Sequence, residues 1–157
     1  MIAYVTGDLL AALDHDAVLL HGVNVQGAFG AGFAAALKRV YPDCVPVYLQ
    51  ACAEKTFHPG GIVVYTPSPD RALPIVIHAA TQEFFGRKGR ARLPWVQTAL
   101  MSSRIYLDEH NLQVVALPKI AAGLGGLDWK SQILPVVEET FGAWAGTATI
   151  YSLENES

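Results

Sequence analysis

Short apolar, β-branched runs recur along the chain at Ile2–Val5, Val18–Val23, Ile62–Tyr65, Ile75–His78, Val114–Leu117 and Thr147–Leu153. Several lack the polar alternation of a half-exposed strand, as expected where both faces of a strand are covered. Helical spacing lies between them. Within Ala31–Tyr41, residues Phe33, Leu37, Val40 and Tyr41 recur at helical steps, and Pro42-Asp43 is expected to stop that helix because proline lacks the N–H needed to continue it. Pro94 suits the first turn of a second helix, Pro94–Glu109, with Val96, Leu100, Ser103 and Leu107 along one face. A third pattern covers Trp129–Trp144, where Ile133, Val137 and Phe141 share a face and Pro135 predicts a late start or a kink. Asp14-His15-Asp16, Thr66-Pro67-Ser68-Pro69-Asp70 and Phe85–Arg92 read as loops.

Strands alternating with helices predict a three-layer α/β/α domain with a mixed, largely parallel central sheet of about six strands. The Ile62–Tyr65 and Ile75–His78 runs, joined by a short proline-rich loop, are expected to be the antiparallel pair. The length of 157 residues suits a single domain over 1–157. With 52% hydrophobic and 16% charged residues the chain excludes disorder, and its spread of 14 Gly and 9 Pro excludes a coiled coil.

Eleven bases against 14 acids leave a net charge of −3, which disfavours duplex nucleic acid as the main partner. Arg87, Lys88, Arg90 and Arg92 form a local basic exception that could contact a nucleic acid or an acidic protein tail. Cys44 and Cys52 build no disulfide framework, and no ligand cluster calls for a metal; no cofactor is expected. The N-terminus has neither a basic region nor a long apolar stretch, and no run is long enough to span a membrane. A cytoplasmic monomer is the expectation.

Two glycine-rich segments each sit between a strand and a helix. The first runs His21-Gly22-Val23-Asn24-Val25-Gln26-Gly27-Ala28-Phe29-Gly30-Ala31-Gly32, and the second Ile120-Ala121-Ala122-Gly123-Leu124-Gly125-Gly126-Leu127-Asp128-Trp129. Ligands of α/β sheets bind beyond the carboxyl ends of strands, and backbone N–H groups at a helix N-terminus favour phosphate. Two such loops could clamp a pyrophosphate from both sides. Neither holds the GxxxxGK[ST] pattern of a P-loop, and the first lacks the spacing of a dinucleotide-binding fingerprint. Turn and packing roles alone are the plain alternative for these glycines.

Together with Gly7-Asp8-Leu9-Leu10 after the first strand, this arrangement resembles the macrodomains over essentially the whole chain. His21 through Asn24, Gly30-Ala31-Gly32, Leu117-Pro118-Lys119-Ile120, Gly123–Trp129 and Ile150-Tyr151-Ser152-Leu153 are most similar to the branch of terminal ADP-ribose glycohydrolases and antitoxins that remove ADP-ribose from DNA. The resemblance implies that Asp8 and Leu9 meet adenine, flanked by Tyr151 and Leu153, and that His21 and Asn24 face the distal ribose. It further implies that Gly30, Ala31, Gly32, Thr81, Gln82 and residues Ile120, Ala121, Ala122, Gly123, Leu124, Gly125, Gly126 and Leu127 line the ADP-ribose site. Plain structural roles stand beside these: a helix cap for Asp8, a turn for Asn24, a buried core position for His21.

That branch is associated with a lysine just after a strand and an aspartate in the second glycine loop. Here Gln82 stands where the lysine would be, and Gly125 where the aspartate would be. A neutral amide cannot form a Schiff base, so a lysine-dependent route is not expected. The expectation is a hydrolase of an ADP-ribose conjugate, either ester-linked mono-ADP-ribose on protein or O-acetyl-ADP-ribose, with a nucleic-acid conjugate ranked below these. Asn24 would position the distal ribose, and Asp128 is the candidate base, with a helix cap as its alternative role. Glu83 is a weaker candidate, with a solvated side chain as its plain role, and Lys88 could fold into the site on its loop, although an exposed lysine beside Arg87 and Arg90 is the preferred reading. Two rival readings are a non-catalytic ADP-ribose reader and an ADP-ribose 1″-phosphate phosphatase.

Overall fold

The computed structural model describes every residue except 15, 71, 87–89 and 154–157, and gives no side-chain placement for Leu124. Its elements in chain order are β1 (Ile2–Thr6), a 3-10 turn (Leu9–Ala12), β2 (Val18–Val23), α1 (Gly32–Val40), a 3-10 turn (Pro42–Cys44), α2 (Val45–Ala53), β3 (Ile62–Tyr65) and β4 (Val76–Ala80). The second half holds α3 (Leu93–Glu109), β5 (Val114–Leu117), a 3-10 turn (Gly123–Gly125), a π-helical segment (Trp129–Ile133), α4 (Leu134–Phe141) and β6 (Thr147–Ser152).

The strands form one six-stranded sheet in the order β1-β6-β5-β2-β4-β3, parallel except for β3 against β4. This is the expected mixed sheet with its one antiparallel pair. Every side chain of β4 is buried, as are all in β2 but Gly22, which explains their continuous apolar sequence. One face of β2 carries Val18 and Leu20 into a core with α3 and α4; the other carries Leu19 and Val23 into a core with α1 and α2.

Helix α2 is the departure from expectation. Pro42 ends α1 as anticipated, but the chain makes a single 3-10 turn and starts again at Val45, with Pro46 in the first turn where its missing N–H costs nothing. The sequence VPVYLQACA has little polar face to betray a helix, and tertiary burial of Val45 and Tyr48 decides it. Pro135 behaves as expected: the Trp129–Ile133 stretch is π-helical, and regular α-helix begins at Leu134 with the proline in its first turn. Among the described residues no helix is long and apolar enough to cross a membrane.

Candidate functional site

Because β1, β2, β4, β5 and β6 are parallel, their carboxyl ends lie along one rim of the sheet. A cleft of about 1410 Å³ opens there. Its walls include Asp8 and Leu9 after β1, His21 and Asn24 at the end of β2, and Gly30, Ala31 and Gly32 entering α1. Thr81 and Gln82 follow β4; Ile120, Ala121, Ala122, Gly123, Gly125, Leu127 and Asp128 follow β5; Tyr151 and Leu153 close the β6 side. Of the residues expected here, Gly126 does not line the cleft: at φ 79° it ends the second loop's 3-10 turn. Leu124's side chain lies outside what the structure describes, as do Arg87 and Lys88 of the basic cluster.

The first loop is folded around Asn24. Its Oδ1 accepts from the N–H groups of Gln26 (2.9 Å) and Ala28 (3.2 Å), while its Nδ2 donates to the Ala28 carbonyl at 2.7 Å. The Tyr48 hydroxyl, supplied by α2, lies 2.8 Å from the Asn24 carbonyl oxygen and 3.0 Å from Oδ1, with one proton to share between them. Asn24 therefore shapes the loop that leads into α1, and one Nδ2 hydrogen remains for a ligand. The N-cap of α1, Ala31, offers no side-chain acceptor, so the helix turns first-turn N–H groups toward the cleft without a local competitor.

The second loop comes close to β2. A Cβ on Gly22 would stand 3.0 Å from both Ile120 Cγ1 and Thr81 Oγ1, so a larger residue there would have to push the Ile120 or Thr81 side chain aside. Ala121 takes the left-handed region at φ 61°, a strained choice for alanine that aims this loop across the cleft. The Ala91 N–H donates to the Gly125 carbonyl at 2.9 Å and the Arg92 N–H to the Thr81 carbonyl at 3.2 Å, knitting both walls together.

Asp8 caps the turn that follows it, accepting from the Leu10 N–H at 3.0 Å through Oδ1, which leaves its second oxygen for another donor. Asp128 also caps: Oδ2 accepts from the Ser131 N–H (2.8 Å) and hydroxyl (2.6 Å), and the Asp128 N–H donates to Gln132 Oε1 at 2.8 Å. The Ser131 hydroxyl bond, then the Ser131 N–H bond, hold this carboxyl below the usual carboxylate range. That environment weakens it as a proton acceptor.

His21 and His78 are cross-strand partners in the β2–β4 register, and both are buried. His78 Nε2 lies 2.8 Å from the Cys44 carbonyl oxygen, and His21 Nε2 lies 2.7 Å from His78 Nδ1. A carbonyl can only accept, so His78 carries its proton on Nε2 and its Nδ1 accepts from His21. His21 Nδ1 is then a bare acceptor, buried without a partner, beneath the rings of Phe29 and Phe33. Burial pushes the His78 value down to about 4, against the opposing pull of the Cys44 carbonyl. Burial, and after it the neighbouring His78, lowers His21 well below the ordinary histidine value.

Gln82 is tied to its own loop instead of projecting freely: Nε2 donates to the Phe84 carbonyl at 2.8 Å, and Oε1 lies 3.8 Å from where a Cβ on Gly125 would stand. Positions 82 and 125, distant in sequence, thus adjoin in the cleft. Sequence reasoning missed Phe33, Phe85, Gly86 and Lys130 as cleft residues, and His78 as the support beneath His21. Phe33 was hidden by its place in a helical apolar pattern; Phe84-Phe85, two aromatics in a polar loop, was the available signal for the rim. Among the described residues no group of three His, Cys, Asp or Glu side chains is placed to hold a metal ion.

A parallel sheet with two glycine loops at its carboxyl rim, one entering a helix N-terminus, defines a nucleotide-type cleft of the α/β class. The Macro domain family model matches residues 20–133, and the chain belongs to that family. It is 29% identical over 146 residues to a DNA ADP-ribosyl glycohydrolase of Thermus aquaticus, covering 93% of this chain and 39% of that one. It is also 29% identical over 155 residues to an ADP-ribose 1″-phosphate phosphatase of Scheffersomyces stipitis, covering 83% of this chain and 90% of the relative. The macrodomain of Thermus aquaticus DarG superposes with a TM-score of 0.85 at 28% identity, covering 97% of this chain and 98% of that one. The chain spans about two-fifths of the length of the Thermus glycohydrolase, 39%.

Proposed function

We propose that the cleft binds ADP-ribose and that the protein hydrolyses an ADP-ribose conjugate. The observation that carries this reading is the pair of glycine loops facing one another across the cleft, with α1 opening toward it. In this arrangement the pyrophosphate sits between the N–H groups of the first turn of α1 and the backbone of Ala121–Gly125. Adenine lies toward Asp8, Leu9 and Tyr151, where the free Asp8 oxygen accepts from its amino group. The distal ribose reaches Asn24, whose remaining Nδ2 hydrogen meets a ribose hydroxyl.

No Schiff base can form at position 82. Cleavage then falls to a water molecule held by the ligand's own phosphates and the loop backbone, with the loops providing orientation and charge stabilisation. Asp128 fixes the start of the π-helical wall beside this water. The names of the Thermus and Scheffersomyces relatives make a nucleic-acid linkage and a 1″-phosphate candidates beside the protein ester and O-acetyl-ADP-ribose. A reader that binds without cleaving is favoured by one observation, the amide at position 82 tied to Phe84.

Product analysis separates these readings where affinity cannot. The protein is incubated with O-acetyl-ADP-ribose, an ester-linked ADP-ribosyl peptide, an ADP-ribosylated oligonucleotide and ADP-ribose 1″-phosphate, and the release of free ADP-ribose is followed by chromatography. Release from one of the conjugates supports the hydrolase, and release only from the 1″-phosphate supports the phosphatase. ADP-ribose binding with no release from any of them leaves the reader.

A further inference from the structure

The sheet ends in β3 on one side and β1 on the other, and the two edges are built differently. Both faces of β3 pack: Ile62 and Val64 join one core, Val63 and Tyr65 the other. β1 pairs with β6 and leaves most of its length in water. Ile2 packs against the core beside α3 and α4, but Tyr4 is 60% exposed and Val5 38%. An unpaired edge strand is a template for another chain, and proteins usually blunt it with a charge, a proline, a bulge or a covering element. The strand IAYVT holds no charged residue and no proline, and its register with β6 runs unbroken from Ile2 to Thr6. Among the described residues no strand pairs with its outer edge.

The Met1 carbonyl accepts from the Ala148 N–H at 2.9 Å, and the Gly7 N–H donates to the Ser152 carbonyl at 2.8 Å. Backbone groups alternate between the two edges of a strand, so Met1, Ala3, Val5 and Gly7 turn theirs toward β6, and Ile2, Tyr4 and Thr6 turn theirs outward. We propose that two copies of this chain pair antiparallel along β1, about a twofold axis through Tyr4, and join their sheets into one. In that register Tyr4 faces its own copy and Ile2 faces Thr6 of the second copy, each as a hydrogen-bonded pair. Every outward N–H and C=O of Ile2, Tyr4 and Thr6 finds its mate, and the two exposed tyrosine rings meet across the axis. This symmetry about Tyr4 is what selects a second copy over a foreign peptide. Chains of net charge −3 would repel, but they meet here on a strand that brings no charge. Each copy has one such edge, so the pairing closes at a dimer. Because β1 runs toward the cleft at its carboxyl end, antiparallel strands carry the two clefts to opposite ends of the joined sheet.

Sedimentation velocity from about 5 μM to about 0.5 mM, a range suited to a small interface, tests this. The wild-type mass should rise toward twice that of the chain. Tyr4→Lys sets like charges opposite one another and should raise the dissociation constant at least about tenfold, whereas Tyr4→Phe should keep the dimer. The Tyr4→Lys and Tyr4→Glu proteins, each monomeric alone, should form a mixed dimer when combined, because an axis through position 4 brings the two substitutions face to face. Amide exchange followed by NMR should slow at Ile2, Tyr4 and Thr6 as concentration rises, with Ala3 and Val5, already turned to β6, unchanged. Tyr4 lies outside the cleft wall, so ADP-ribose affinity should stay within about twofold in Tyr4→Lys. A wild-type monomer throughout the range, a dimer that Tyr4→Lys leaves intact, or failure of the lysine and glutamate proteins to combine overturns the proposal. So does a dimer in which the Tyr4 and Thr6 amides exchange as fast as in the monomer.

Discussion

Acidification from about pH 7.5 to about pH 5.0 should weaken this fold through its buried histidine pair. His78 titrates near 4 in the fold against 6.5 in the unfolded chain, so the unfolded state takes up a proton that the folded state refuses. A depressed value leaves stability intact above 6.5 and removes it as pH falls toward 4. A pH of about 5.0 is about 1.5 units below the unfolded value and still above the folded one, so the loss there is about 2 kcal/mol at about 1.4 kcal/mol per unit. His21 is shifted in the same direction, and one proton on the pair opposes a second, so the loss should be at least that of His78. Carboxylates held low, such as Asp128, change only at more acidic pH and leave this window to the histidines. Urea denaturation followed by tryptophan fluorescence should show the midpoint falling by about 1 M between the two pH values. Replacing both histidines with phenylalanine should flatten that dependence, even though the doubly substituted protein starts less stable. An unchanged wild-type midpoint would refute the neutral, tautomer-locked pair.

Gly22→Ala should cost about 1–3 kcal/mol in urea denaturation and weaken ADP-ribose binding by calorimetry, because its Cβ meets Ile120 and Thr81 at 3.0 Å. Asn24→Ala removes three hydrogen bonds that shape the first loop and should cost about 2 kcal/mol. In a hydrolase kcat should fall as well, whereas a reader has only affinity to lose. Asp128→Asn, which can still accept from the Ser131 N–H, should keep turnover within about threefold, while Asp128→Ala, which loses the cap, should lower the urea midpoint. A hundredfold rate loss in Asp128→Asn, on the order expected for a general base, would contradict the capping role. Replacing Arg87, Lys88, Arg90 and Arg92 with serine should leave free ADP-ribose affinity within about twofold; strong weakening would put this loop inside the primary pocket.

The sheet was legible in the sequence because its central strands β2 and β4 are buried on both faces and read as nearly continuous apolar runs, while the edge strand β1, with Tyr4 and Val5 exposed, is still apolar enough to show. β2, β3 and β5 begin and end as the hydrophobic pattern predicts, while β4 runs on through Ala79 and Ala80, whose small side chains carry little strand signal. Helix α2 was not legible, since VPVYLQACA lacks a polar face and tertiary burial decides its conformation. The glycine loops were visible as composition, and nearly all the residues expected of them line one cleft. What the side chains do in that cleft was only partly visible. Asn24 and Asp128 have residue types that suit chemistry and capping equally, and only their hydrogen-bond partners reveal how far capping commits them. The His21–His78 contact depends on β2–β4 register, which no local pattern encodes.

Titration of isotopically labelled protein with ADP-ribose, followed through backbone amide NMR shifts, tests the central claim most directly. The account predicts saturable shifts confined to Asp8–Leu10, Asn24–Phe33, Thr81–Gly86, Ile120–Asp128 and Tyr151, the segments that meet at the sheet's carboxyl rim. Shifts gathered elsewhere, or none at a large excess of ligand, would contradict it.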